Sequence, residues 1–286
     1  MRYRRLLLAG VFILALSAPI TARKFVLDFR AIDFPGATLS VALAINGRGQ
    51  IVGEYFQGPR THAFLYSDKN LTTIDFPGAI GPQCGTIASG INDGGQIVGE
   101  YCVGLTRHGF VFDQGNFRSI DVPAAAFTVA TGINNLGQIV GYYGDGVAIR
   151  AFILDNGVFT SIDVPGAIGE CGTIASGIND AGQIVGQYCV GSAHHGFVLE
   201  KTKLTRIDVP GGVFTAATAI NRQGQIVGLY TDGLTIHGFL LDKGAFKAID
   251  APVQALFTEA FGINDRSQIT GAYMSSDGKL HGFVMF

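Results

Sequence analysis

Six copies of a unit of about 43 residues, four short apolar runs in each copy, and turn residues at fixed points between the runs predict an all-β chain. The expected fold is a six-bladed β-propeller with four antiparallel strands per blade. The copies are marked by Asn46, Asn92, Asn134, Asn179, Asn221 and Asn264, so the steps between them are 46, 42, 45, 42 and 43 residues. That spacing suits propeller blades or solenoid coils. It speaks for architecture more than for function, because residues present in every copy are explained most simply by what each copy needs to fold.

The third copy shows the elements in order. Phe127–Ile133 reads as strand A, Gln138–Tyr143 as B, Arg150–Leu154 as C and Val158–Val164 as D. Asn134-Asn135-Leu136-Gly137 links A to B and Asp155-Asn156-Gly157 links C to D. Both links are rich in residues that tolerate positive φ, which predicts tight hairpins.

Strand A has one uniformly small face. Two residues before the marker Asn stands Ala or Gly, four before it stands Ala in every copy, and six before it stands Ser or Thr. Crowding is greatest near the axis of a ring, so strand A is expected to be innermost.

The phase of the repeat separates a ring from a solenoid. Residues 25–35 read as a strand D with no preceding A, B or C, and His281–Phe286 as a strand C with no following D. A ring in which the N-terminal strand closes the last blade leaves no exposed sheet edge.

Composition fits this reading: 48% of the 286 residues are hydrophobic, 15% are charged and 41 are glycine, as in a turn-rich, well-buried chain. The formal net charge of −2, without a basic cluster among aromatics, excludes nucleic acid as an expected partner. Residues 1–22 lie outside the repeat. Arg2, Arg4 and Arg5 precede an apolar run from Leu6 to Leu16, which reads as a secretory signal peptide cleaved after Ala22. The run is short for a membrane span. An uncleaved anchor is the alternative, and no span is expected once the signal is removed. Residues 23–286 then form the propeller, in a secreted, extracellular or periplasmic protein.

Cys84 and Cys102 lie 18 residues apart with the Asn92-Asp93-Gly94-Gly95 turn midway between them, and Cys171 and Cys189 repeat the arrangement. Folding each segment as a hairpin sets the thiols opposite each other, which predicts disulfides Cys84–Cys102 and Cys171–Cys189. Closing such a loop contributes roughly 3 kcal/mol. Export and disulfides support each other.

The triplet His62-Ala63-Phe64 recurs as His108-Gly109-Phe110, His195-Gly196-Phe197, His237-Gly238-Phe239 and His281-Gly282-Phe283, and one copy departs with Arg150-Ala151-Phe152. Together with Gly-Ile-Asn and Gly-Gln-Ile-Val-Gly, this resembles the bacterial extracellular HAF-repeat family over residues 24–286. The resemblance implies export and a propeller-like repeat, and it lends no catalytic residues.

The five repeat histidines His62, His108, His195, His237 and His281 stand one per blade, too far apart to share a metal ion. Asp33, Asp75, Asp121, Asp163, Asp208 and Asp250 recur near the end of strand D, beside strand C. An Asp–His hydrogen bond inside each blade, with Arg150 taking the His place against Asp163, is the expected structural role. The Asn turns lack the successive carboxylates of a calcium loop, and no metal or cofactor is expected. No nucleophile elbow or phosphate loop is present.

Function is expected where the copies differ. The D-to-A and B-to-C connections share one face of the ring and are the variable stretches, and both expected disulfides brace that face. Tyr55, Tyr101, Tyr143, Tyr188, Tyr230 and Tyr273 end strand B beside it. Tyr55, Tyr101 and Tyr188, with Arg107 and His194, are candidate binding residues, the alternative being that the tyrosines fill gaps between blades. The leading expectation is a non-catalytic binding or scaffold module for a protein or polysaccharide. The rival is an extracellular carbohydrate-active enzyme, a lyase or hydrolase, using His194, Glu170 or Arg107. Non-repeat ionisable groups converging at the ring mouth would favour the enzyme.

Overall fold

The computed structural model describes residues 28–79, 85–167 and 172–286. The expected signal peptide, Cys84, Glu170 and Cys171 lie outside these residues. The described secondary structure consists of strands: β1 (Phe29–Ile32); β2 (Leu39–Ile45), β3 (Ile51–Gln57), β4 (Arg60–Ser67) and β5 (Asn70–Thr73); β6 (Thr86–Ile91), β7 (Ile97–Val103), β8 (Thr106–Asp113) and β9 (Asn116–Ile120); β10 (Phe127–Ile133), β11 (Ile139–Gly144), β12 (Ile149–Asp155) and β13 (Val158–Ile162); β14 (Thr173–Ile178), β15 (Ile184–Val190), β16 (Ala193–Glu200) and β17 (Lys203–Ile207); β18 (Phe214–Ile220), β19 (Ile226–Thr231), β20 (Ile236–Asp242) and β21 (Ala245–Ile249); β22 (Ala255–Ile263), β23 (Ile269–Ser275) and β24 (Leu280–Met285).

Consecutive strands pair antiparallel in the fours just given, and β24 takes β1 as its outer partner, from Phe29 opposite Met285 to Ile32 opposite Gly282. Two parallel bridges, His194 with Phe214 and Leu39 with Leu280, join neighbouring sheets. In the third copy the observed B strand starts at Ile139, because Gln138 belongs to the turn: its carbonyl accepts from the Asn134 N–H at 3.1 Å. Strand D stops at Ile162, before Asp163, whose carboxylate pairs with Arg150 at 3.1 Å. The C-to-D turn holds Asn156 at φ 48° and Gly157 at φ 81°, the conformation that favours this dipeptide.

The repeat motifs are packing devices. The Phe of each triplet, Phe64 through Phe283, is fully buried. It rests on the Gly of the B strand: a Cβ on Gly141 would lie 2.8 Å from the Phe152 ring and 2.0 Å from the Val129 carbonyl oxygen. The first strands of the sheets crowd one another, and a Cβ on Gly132 would come within 3.1 Å of the Gly177 Cα. Each first strand also shifts register beside its buried Ala, as between Ala130 and Gly132, a bulge that turns the strand locally. The Ser or Thr six residues before the marker Asn does more than keep that face small. Its buried hydroxyl accepts from the N–H that precedes the Pro or Ala-Pro turn, as Thr128 does from Val122 at 3.0 Å and Ser40 from Phe34 at 2.9 Å.

The marker asparagines stitch one sheet to the next. Asn46 donates to the Asn92 carbonyl at 3.0 Å, Asn92 to Asn134 at 3.1 Å, Asn134 to Asn179 at 3.1 Å, Asn179 to Asn221 at 3.0 Å and Asn221 to Asn264 at 3.1 Å. Each buried amide also donates to the Gln four residues on, while its oxygen accepts backbone N–H groups of its own turn, as at Asn134. An amide supplies two N–H donors and a carbonyl acceptor from one short side chain.

Candidate functional site

The recurring His and Asp come together in five of the six copies, and Arg150 takes the His place against Asp163 in the third. The His Nδ1 donates to its Asp at 2.6 Å (His62–Asp75), 2.8 Å (His108–Asp121), 2.9 Å (His195–Asp208), 2.8 Å (His237–Asp250) and 3.0 Å (His281–Asp33). The pairs are partly exposed, because they sit at the ends of the ladders. Tyr55, Tyr101 and Tyr188 are no binding surface: they are 3%, 6% and 8% exposed. Their rings pack on His62, His108 and His195, and the Tyr55 and Tyr101 hydroxyls bond Thr73 and Ser119 at 2.7 and 2.6 Å. Tyrosine, His and Asp thus form a repeated structural unit.

Of the candidate catalytic residues, Glu170 lies outside the described residues, and His194 and Arg107 lie on different sheets. His194 lies on the fourth sheet against Phe214, ring centroids 5.1 Å apart, and Arg107 lies on the second. Cys102 and Cys189 are buried and neither is a free thiol. Their N–H groups donate to Gly85 and Gly172 at 3.2 and 3.3 Å, so the residues following Cys84 and Cys171 lie against them.

Arg107 is the centre of a different cluster. Its guanidinium makes a two-pronged ion pair with the buried Glu100, Nη2 reaching Oε1 at 2.7 Å, and Nη2 also donates to the Tyr142 hydroxyl of the next sheet at 3.1 Å. The guanidinium carbon is 5.8 Å from the ring centres of both Tyr142 and Phe127. Burial opposes the charge on Arg107, but Glu100 outweighs it and raises its pKa. Burial raises Tyr142, with Arg107 pulling the other way. On the first sheet, burial and then the Glu100 charge push Glu54 up to about 7.

Sequence reasoning found Arg107 and missed Glu54, Glu100, Tyr142 and Phe127. The legible signal was the residue after Gly in strand B. It varies as Glu54, Glu100, Tyr142, Gln187, Leu229 and Ala272 while its neighbours repeat.

Beside Phe127 an apolar cup of about 250 Å³ opens at the start of β10 and the turn after β11. Exposed aliphatic side chains concentrate on the same edge of the sheets. Leu105, Val147 and Leu234 at the B-to-C turns are 97%, 84% and 94% exposed, and Val103, Val190, Val213, Val253 and Leu256 lie nearby at the strand ends and D-to-A connections. On the opposite face Asp93, Asn135, Asp180, Arg222 and Asp265 surround the mouth of a cavity of about 80 Å³. They bond one another's turns, as Asp180 does with the Asn135 N–H at 2.8 Å and Arg222 Nε at 2.7 Å. Burial would raise Asp180, but these bonds outweigh it and lower its pKa. No group of three or more metal-ligating side chains is found among the described residues, and no described helix is long and apolar enough to cross a membrane.

No family model matches the sequence, and no curated protein matches it. Solved structures do. A streptogramin B lyase structure matches at TM-score 0.52 with 11% identity, over 91% of this chain and 98% of that one. TolB from Acinetobacter baumannii matches at TM-score 0.57 with 10% identity, over 88% of this chain and 64% of that one. A protein of unknown function from Bacteroides thetaiotaomicron matches at TM-score 0.52 with 12% identity, over 90% and 72%. At these identities the likeness shows the fold alone, an all-β, propeller-type arrangement.

Proposed function

We propose that this chain is an exported, six-bladed propeller of the HAF-repeat type that acts as a non-catalytic binding or scaffold module for a protein or glycan. In this reading β1 closes the blade of β22, β23 and β24. The β1–β24 ladder and the chain of Asn bonds support closure. Disulfides Cys84–Cys102 and Cys171–Cys189 brace the loop face, a pairing supported by the Cys102 and Cys189 backbone bonds to the residues beside Cys84 and Cys171.

The observation that carries the binding role is the concentration of exposed aliphatic side chains. Of the eleven exposed large hydrophobic residues among those described, eight lie on the edge that carries the variable connections, and the Arg107 cluster opens there. Apolar exposure gathered on one edge, rather than scattered over the surface, supports an interaction surface there.

One observation favours a second reading, a carbohydrate-active enzyme. Glu54, pushed up to about 7 by burial and then by the Glu100 charge, is a carboxyl that still holds a proton near neutral pH, as the general acid of a hydrolysis must. A thermal-shift screen of residues 23–286 against soluble polysaccharides, with mass spectrometry of each mixture, separates the two. A rise in melting temperature without product supports the binding module. Shortened or unsaturated oligosaccharides would replace it with the enzyme.

A further inference from the structure

We infer that the Arg107 cluster is a subsite for a neutral saccharide, its hydroxyl groups held by Arg107, Tyr142 and Glu54 and its C–H face against Phe127. The inference rests on the proposed loop-face binding role and names the ligand class it serves.

The hydrogen-bond inventory comes first. A guanidinium has five N–H donors. Nε and one Nη2 proton of Arg107 go to Glu100 and the second Nη2 proton goes to Tyr142, so the two Nη1 protons have no partner among the described residues. The Arg107 side chain is 38% exposed, so those protons reach solvent. The Tyr142 oxygen accepts from Arg107, which leaves its own proton to donate. Glu54 is only partly exposed and makes no hydrogen bond to a described residue, although a carboxyl taken out of water ordinarily has a partner. The site therefore offers paired donors, a hydroxyl donor and a carboxyl that accepts or donates.

Charge then selects among ligands. Arg107 and Glu100 cancel, and no other cation is bonded within the cluster, so a phosphate or carboxylate finds no net attraction and competes with Glu100 for the guanidinium. A hydroxyl group donates and accepts at once and suffers no such penalty. The apolar component lies alongside. Phe127 stands edge-on to Tyr142, centroids 6.2 Å apart at 78°, and forms a wall of the cup of about 250 Å³ whose outer lip is Val147. An apolar face with a polar edge of mixed donors and acceptors is the pattern of a pyranose ring.

The test is isothermal titration of residues 23–286 with neutral gluco-, manno-, galacto- and xylo-hexasaccharides, with oligogalacturonate and an apolar hexapeptide as competing classes. The expected result is binding of at least one neutral hexasaccharide. Tyr142→Phe should weaken it about 5-fold and Phe127→Leu about 10-fold, with Leu136→Ser, exposed at an A-to-B turn on the opposite face, unchanged, and far-UV circular dichroism of each variant checks that it is folded. Binding of a neutral hexasaccharide that both site variants leave intact overturns this inference and leaves the binding role standing. Preference for oligogalacturonate or the peptide overturns it likewise. Silence toward all three classes, with no stabilisation in the polysaccharide screen, removes both.

Discussion

The Asn264 side chain donates to the carbonyl oxygen of Asn46, 218 residues away in the chain, at 2.9 Å. The same amide donates to Gln268 at 2.7 Å and accepts the N–H groups of Arg266 and Gln268 at 3.0 Å each. It is one buried group that serves four polar partners across two sheets. Asn264→Ala should therefore cost about 3 kcal/mol, the order expected when several buried groups lose partners together. Urea unfolding measures it, and a loss below that of an ordinary surface substitution would deny the stitching role.

His195→Ala should lower stability by about 1 kcal/mol, since it removes the 2.9 Å bond to Asp208 and the ring packed on Tyr188. His195→Arg should restore part of the loss, as Arg150 stands in the same place against Asp163. A melting temperature unchanged in His195→Ala would show the pair to be idle.

Thr270 stands where the other copies carry Val52, Val98, Val140, Val185 and Val227, and its buried hydroxyl has no partner. Thr270→Val keeps the shape and removes the unmet group. It should stabilise the protein by about 1 kcal/mol, read as a shift of the urea midpoint at constant slope.

Burial, and then Glu100, raise Glu54 to about 7 from an ordinary 4.5. The folded state therefore holds a proton that the unfolded state releases. The stability linked to that proton is fully present below pH 4.5 and is lost as pH rises through 7, with no further loss above. The full span is on the order of 3 kcal/mol. Glu54→Gln should flatten this stretch of the pH–stability curve, and equal slopes in the two proteins would remove Glu54 as its cause.

Most of the architecture was legible because each repeat motif answers a local demand. Gly141 makes room for Phe152, Asn134 satisfies its own turn, and Thr128 caps the Val122 N–H, so each motif recurs wherever its strand recurs. Strand ends were less legible, since Gln138 and Asp163 carry strand-like neighbours while their hydrogen bonds belong to a turn and to an ion pair. The site was hardest. Glu54, Glu100 and Tyr142 sit at one repeat position on three sheets, and only the stacking of those sheets brings Arg107 between Glu100 and Tyr142. Tyr55 misled because its place beside a loop face says nothing of which way its ring turns.

The pairing of β1 with β24 also sets a timetable. Phe29 leaves the ribosome some 250 residues ahead of Leu280, which at ordinary synthesis rates is roughly tens of seconds. Throughout that interval β1 has no strand to join, while the sheets from β2 to β21 can each form from neighbours already made. β1 is thus among the last of the described strands to find its place, and until it does the edge of β24 is open to any other extended chain. A newly made molecule is consequently most vulnerable to pairing with a second copy while β24 still waits for β1, when the other described strands are already in place.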